Sequence, residues 1–234
     1  MKKFLQQLLG AAALAFLAQA TAAAPGAHVG VRVCTKCHGV HGDSWAATTH
    51  AKAFDSLKAN TKVEEKKKAK LDPAKDYTKD KDCIGCHSTG YGKPGGYKIG
   101  SPPGGDTALG SVGCESCHGP GEGYRDGHGI AEKQLLRTSK TTPRKTLVTA
   151  GQNFDYEKAC AACHLNYQGS PLKGAKAPFT PFTPTVDAKY KFEYDKAVRT
   201  KALHEHYKLK GAFEGEPVPK VRAEFQKTAK EIPE

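Results

Sequence analysis

Apolar positions along this chain come in short stretches separated by long polar or glycine-rich ones. A run from Leu8 to Leu17 follows Lys2 and Lys3 and leads into Ala22-Ala23-Ala24, the layout of a cleavable export signal over residues 1–24. It is too short to span a bilayer, which takes roughly 20 apolar residues, and no later run reaches that length. Downstream, Ala46, His50, Phe54 and Leu57 recur at helical spacing, so Ser44 is expected to cap a helix from Trp45 to about Leu57. Thr61-Lys-Val-Glu64 resembles a capping box that opens a second helix to Leu71, stopped by Asp72-Pro73.

The region from Ser88 to Gly113 holds nine Gly and three Pro and is expected to be loop, with a short hairpin around Tyr97-Lys98-Ile99. Pro178-Phe-Thr-Pro-Phe-Thr-Pro184 is rigid and aromatic. Lys189-Tyr-Lys-Phe-Glu-Tyr194 alternates like a short strand, and Asp195 is placed to cap a last helix reaching about Leu209, with Gly211 as its stop. The expected fold is mainly α with long loops and a little β, one domain over residues 25–234 once the signal is removed.

Cysteine usage changes this picture. All eight cysteines fall in four Cys-x-x-Cys-His units: Cys34 to Cys37 with His38, Cys83 to Cys86 with His87, Cys114 to Cys117 with His118, and Cys160 to Cys163 with His164. In each, two thiols can add across the vinyl groups of one porphyrin while the next residue offers an imidazole to the iron. A zinc cluster or a disulfide set would explain the paired cysteines but not a histidine directly after every second one. The chain is therefore expected to carry four covalent haems. The export signal fits, because such attachment takes place outside the bacterial cytoplasm, where surplus thiols would otherwise oxidise. With one Trp, nine Tyr and nine Phe in 234 residues, the protein has little apolar material of its own, so the porphyrins are expected to supply much of the core.

Removing Lys2 and Lys3 with the signal takes the formal charge from +12 to +10, since residues 1–24 contain no acid. The densest basic stretch, Lys62 to Lys70, reads either as a solvated helix face or as a docking patch for an acidic redox partner. No motif or aromatic interleaving points to nucleic acid.

The second face of each iron decides between electron transfer and ligand chemistry. Met1 is the one methionine, so methionine ligation is excluded in the mature chain. The pool for distal ligands is His28, His41, His50, His128, His204 and His206. His50 shares an inward helix face. His128 lies in the glycine-rich Asp126-Gly-His-Gly129, whose backbone could aim it at a haem. His41 is expected to be exposed and His28 frayed at the mature terminus. His204 and His206 point about 200° apart on a helix, and periodicity leans to His206.

The ordered set Ser44-Trp45-x-x-Thr48-x-His50-Ala-Lys-Ala, Lys70-Leu-Asp-Pro-Ala-Lys-Asp76, Val112-Gly-Cys-Glu-Ser-Cys-His-Gly-Pro-Gly121, Cys163-His-Leu-Asn-Tyr167, Lys173-Gly-Ala-Lys-Ala-Pro178 and His204-Glu-His-Tyr207 resembles the tetrahaem cytochrome c-554 family of ammonia-oxidising bacteria. The resemblance covers nearly all of the mature chain. It implies three bis-histidine haems and one five-coordinate haem: His128 distal to the haem of His38, His204 (with His206 as the alternative) to that of His118, His50 to that of His164, and no protein ligand opposite His87. Apart from the resemblance, the rigid segment Phe179-Thr180-Pro181-Phe182 is expected either to shield that open face, through Thr180 and Phe182, or to pack against another haem. The resemblance also implies a periplasmic monomer that accepts electrons from hydroxylamine oxidoreductase and passes them to another c-type cytochrome. The alternative is an enzyme, a nitric oxide reductase working at the open haem.

Overall fold

The computed structural model describes residues 26–105, 108–199, 205–209 and 211–232; the export signal expected at 1–24 lies outside them. Among the described residues there are ten α-helices: α1 (Val31–Thr35), α2 (Gly39–Ala46), α3 (Val63–Lys68), α4 (Lys81–His87), α5 (Cys114–His118), α6 (Arg125–Thr138), α7 (Lys145–Thr149), α8 (Tyr156–His164), α9 (Tyr194–Ala197) and α10 (Arg222–Thr228). Two short strands, β1 (Thr142–Pro143) and β2 (Phe213–Glu214), pair in parallel with Thr142 opposite Phe213. The fold is mainly α with long loops and little β. None of the described helices is long and apolar enough to cross a membrane.

Most of these helices have five to nine residues, too few to be stable alone in water. Caps and distant contacts hold them. The side chain of Asp80 accepts from Asp82 N to open α4, and that of Asp155 from Lys158 N to open α8. Helix α5 ends at Gly119, whose φ of +80° favours glycine, and a Cβ there would come within 2.6 Å of the Gly151 carbonyl oxygen.

Side-chain packing is concentrated in one cluster, Phe54, Leu57, Tyr77, Ile84, Tyr97 and Leu109, built around α4. Burying Ile84 completely stabilises this region by about 2–3 kcal/mol. Elsewhere Ile130, Leu136, Val148 and Val218 are exposed, and among the described residues no second cluster of this kind forms. The segment before α1 is held by acids instead. The buried carboxylate of Glu115 accepts from the backbone N–H groups of Val29 (2.9 Å), Gly30 (2.7 Å) and Gly121 (2.6 Å), and Glu122 Oε2 accepts from Ala27 N.

Several sequence expectations are corrected. The helix expected from Trp45 to Leu57 is split into α2, a turn, and a 3-10 segment at Phe54–Leu57. Ser44 does not cap it, because its hydroxyl accepts from Glu205 N (2.6 Å), and the Trp45 indole donates to the Val112 carbonyl (3.0 Å). Thr61 makes no capping box: its hydroxyl donates back to the carbonyls of Ser56 and Lys58. Helix α3 starts after Lys62, at φ +49°, and stops short of Leu71.

No hairpin forms at Tyr97, and residues 188–194 make a 3-10 turn leading into α9 rather than a strand. The long last helix is absent where the chain is described. Residues 205–209 have no helical structure, and Tyr207 is bridged to Lys230. His128 sits in the 14-residue α6, not in a turn.

Lys62 to Lys70 is not a free basic face. Lys66 is buried with Nζ on the Lys58 carbonyl (2.6 Å), Lys67 pairs with Glu64 and Lys68 with Asp187.

Candidate haem sites

Each Cys-x-x-Cys-His unit lies on or at the end of a short helix, the first running past the end of α1 at Thr35 to His38. Three of these, α4, α5 and α8, end on the histidine itself. No disulfide joins any of the eight cysteines. Thiols from different units meet instead: Cys34 and Cys114 are hydrogen-bond partners, Cys86 and Cys163 are another such pair, and Cys117 lies close to Cys160. The Cys34–Cys114 contact raises the Cys34 pKa and lowers that of Cys114. These contacts place the first unit beside the third, the third beside the fourth, and the fourth beside the second. Among the described residues no three His, Cys, Asp or Glu converge on a metal-ion cage.

The four histidines of the units have different surroundings. His87 Nδ1 lies 2.8 Å from the Ala53 carbonyl and 3.1 Å from Ser56 Oγ. A carbonyl only accepts, so Nδ1 carries the proton and the Nε2 lone pair is left for a metal. Burial lowers the His87 pKa, keeping the ring in the neutral form that can ligate. His118 Nδ1 meets the Tyr156 phenol at 3.2 Å, and burial pushes that phenol up to about 12. His164 stacks on Phe192, ring centroids 4.6 Å apart at 13°. His38 has His41 at 5.7 Å and His128 at 6.1 Å.

Two expected pairs of imidazoles come together at one spacing. His38 and His128 have ring centroids 6.1 Å apart at 89°, and His50 and His164 6.0 Å apart at 66°. An iron held by two opposed imidazoles, with metal–nitrogen bonds of about 2 Å, puts the ring centroids about 6 Å apart. The spacing matches a gap for one iron. Gln152 Oε1 accepts from His128 Nε2 (3.1 Å), leaving the Nδ1 lone pair of the neutral ring for a metal. Burial, and after it the charge of His38, lowers the His128 pKa.

The other candidates are placed differently. His204 lies outside the described residues. His206 stacks on Phe225 at 3.8 Å and 28°, its carbonyl accepting from Lys230 N. His41 is half-buried between His38 and Tyr207, at 5.7 and 4.9 Å, rather than exposed. His28 is not frayed: its backbone N–H donates to the Pro94 carbonyl at 2.9 Å, and its Nδ1 lies 3.0 Å from the same oxygen. Among the described residues no second imidazole faces His87.

Thr180 and Phe182 belong to a segment fastened just beyond α8. Thr180 N donates to the Asn166 carbonyl, and the Asn166 side chain donates to the carbonyls of Lys176 and Pro178. Phe182 packs against Tyr190, with centroids 5.4 Å apart.

The residues fit haem attachment on two further grounds. Thr142 Oγ1 and Ser111 Oγ are buried without a hydrogen-bond partner, an arrangement that calls for an external polar group. An open cavity of about 440 Å³ beside the third unit has Phe154, Tyr156, Tyr194 and Pro217 in its wall. Sequence reasoning missed Tyr156, Gln152 and the Ala53 carbonyl. Of these only Tyr156 had a signal, being in the first turn of the helix that ends in a unit.

The chain is similar to known c-type cytochromes. A family model described as cytochrome c554 and c-prime matches residues 33–119. Cytochrome c-554 of Nitrosomonas europaea is 54% identical over 224 residues, 95% of this chain and 94% of that protein. The solved structure of reduced cytochrome c554 from the same organism superposes with a TM-score of 0.84 at 56% identity, covering 89% of this chain and 99% of that one.

Proposed function

This chain belongs to the cytochrome c554 family of multihaem c-type electron carriers, and on that premise we propose that it is a periplasmic tetrahaem carrier that accepts electrons from hydroxylamine oxidoreductase and passes them to another c-type cytochrome. The observation that carries the reading is the pair of iron-sized gaps, His38 to His128 and His50 to His164.

In this reading the eight cysteines of the four units hold four haems as thioethers, and His38, His87, His118 and His164 are the proximal ligands. Haem supplies a one-electron couple whose potential depends on its axial ligands, nearby hydrogen bonds and burial. His128, through Nδ1, and His50 complete the first and fourth sites, and His204 completes the third. The second keeps one axial position without a protein ligand, with Thr180 and Phe182 as its shield. The protein orients these ligands by fixing Nδ1: Ala53 and Ser56 on His87, Tyr156 on His118. The contacts among Cys34, Cys114, Cys117, Cys160, Cys163 and Cys86 support an unbroken row of four sites, as a carrier requires. Residues 1–24 are removed as the export signal, and residues 25–234 form one haem-packed unit.

Catalysis of nitric oxide reduction would need a proton donor beside the open position. The hydrogen bonds to His87 Nδ1 belong to the proximal ring and not to that position, and the carrier reading rests on the family to which the chain belongs.

Stopped-flow mixing of the oxidised holoprotein with reduced hydroxylamine oxidoreductase tests the assignment. The expected result is uptake of more than one electron per chain in the fast phases. Failure of the two proteins to exchange electrons would remove the partner assignment.

A further inference from the structure

Two guanidinium groups lie near each other with no acid to balance them. Arg144, just after β1, is only 6% exposed. Its contacts are all backbone: Nη1 donates to the carbonyls of Gly215 and Pro217, Nη2 to that of Phe213 (3.2 Å). Arg222, the first residue of α10, is half-buried. Burial, with repulsion from Arg144 after it, lowers its pKa. Among the described residues neither side chain has an Asp or Glu within ion-pair distance. Carbonyls satisfy N–H groups but leave net charge uncompensated, and a charge taken out of water is costly without an opposite one.

A third group points to the same conclusion. Thr142 Oγ1 is buried and has no hydrogen-bond partner. Thr142 opens β1 and Arg144 follows its last residue as the cap of α7; their N–H groups donate to the carbonyls of Ala212 and Glu214, which holds both residues against the same stretch of chain. One hydroxyl and two guanidinium forks form a donor set suited to a carboxylate.

The location narrows the source. Tyr156, the partner of His118, lies within the electrostatic reach of both arginines. Phe213, whose carbonyl takes Arg144 Nη2, sets its ring 5.7 Å from that of His128. The cluster therefore sits between the third proximal histidine and the candidate distal ligand of the first site.

We propose that Thr142, Arg144 and Arg222 form a carboxylate pocket that holds a propionate of the first or the third haem and raises the reduction potential of that haem. The proposal rests on the four-haem reading. Positive charge beside the propionate offsets the charge lost at the iron on reduction, so the ferrous state is favoured.

The test is a spectropotentiometric titration of the holoprotein and its Arg222→Gln, Arg222→Lys and Thr142→Val variants, with haem counted in each as its pyridine complex. Arg222→Gln is expected to lower one midpoint potential by the equivalent of a tenfold bias in a one-electron equilibrium, about 59 mV. The other three stay in place, Arg222→Lys restores the value, and Thr142→Val moves the same haem by less. A shift in the haem that also responds to Tyr156→Phe assigns the propionate to the third site; a shift in a different haem assigns it to the first. Four unchanged midpoints in an Arg222→Gln protein that carries four haems would overturn the proposal. Fewer than four haems in the unmodified protein would overturn the four-haem reading instead.

Discussion

The phenol of Tyr156 meets Nδ1 of His118 at 3.2 Å. An imidazole that binds iron through Nε2 must carry its proton on Nδ1, so Tyr156 is the acceptor, and the bond strengthens His118 as an electron donor. Tyr156→Phe is expected to raise one of the four midpoint potentials by the equivalent of about 1 kcal/mol, the net value of a neutral hydrogen bond. Redox titration by optical spectroscopy reads this directly. Four unchanged potentials would show that the contact does not tune a haem.

Replacing a distal imidazole should change one spin state at a time. His50→Ala and His128→Ala are each expected to convert one low-spin ferric signal to high-spin, and the double variant to convert two, as read by EPR. A variant that keeps every low-spin signal would remove that histidine from the ligand set.

Acid should destabilise the protein. Burial lowers the pKa of His87 and His128 in the folded chain, whereas the unfolded chain takes up these protons near pH 6.5. Below that pH the unfolded state binds more protons, so stability falls as pH falls until the native groups also titrate. Ligation of iron demands the same neutral imidazoles and acts in the same direction. Thermal melts at pH 7.5, 6.5 and 5.5 are expected to give a falling Tm; a Tm that rises on acidification would contradict the assignment of these rings as neutral.

Glu115 is expected to be the main anchor of the residues before α1. Its buried carboxylate takes three backbone N–H groups, and Glu115→Gln removes the charge and points an amide N–H at donors. The expected loss is about 3 kcal/mol, at the level of hydrogen bonds to a charged group, with faster proteolysis ahead of Val31. Denaturant titration of the holoprotein checks it, and a loss under about 1 kcal/mol would show that the anchor lies elsewhere.

The chemistry of this chain was more legible in its sequence than the shape was. Four Cys-x-x-Cys-His units need only local spacing, and they fall on helices for the same reason. His50 and His128 could be singled out as distal candidates, but for the wrong local structures. His50 lies after a broken helix, because the Ser44 hydroxyl and the Trp45 indole are taken by Glu205 and Val112, 161 and 67 residues away. His128 lies in a helix that tolerates Gly127 and Gly129, because Ala131 beside them is buried. Periodicity assumes that a helix earns its stability from its own apolar face; here caps and distant hydrogen bonds set the ends. The proposed carboxylate pocket was invisible in the sequence, since its residues are as many as 80 positions apart and only the pairing of β1 with β2 sets Arg144 against the carbonyls of Phe213 and Gly215.

Spin quantification by low-temperature EPR of the fully oxidised holoprotein tests the central claim most directly. Four ferric haems per chain, three low-spin and one high-spin, are the predicted result. Four low-spin haems would contradict it, because the site of His87 would then have a second ligand.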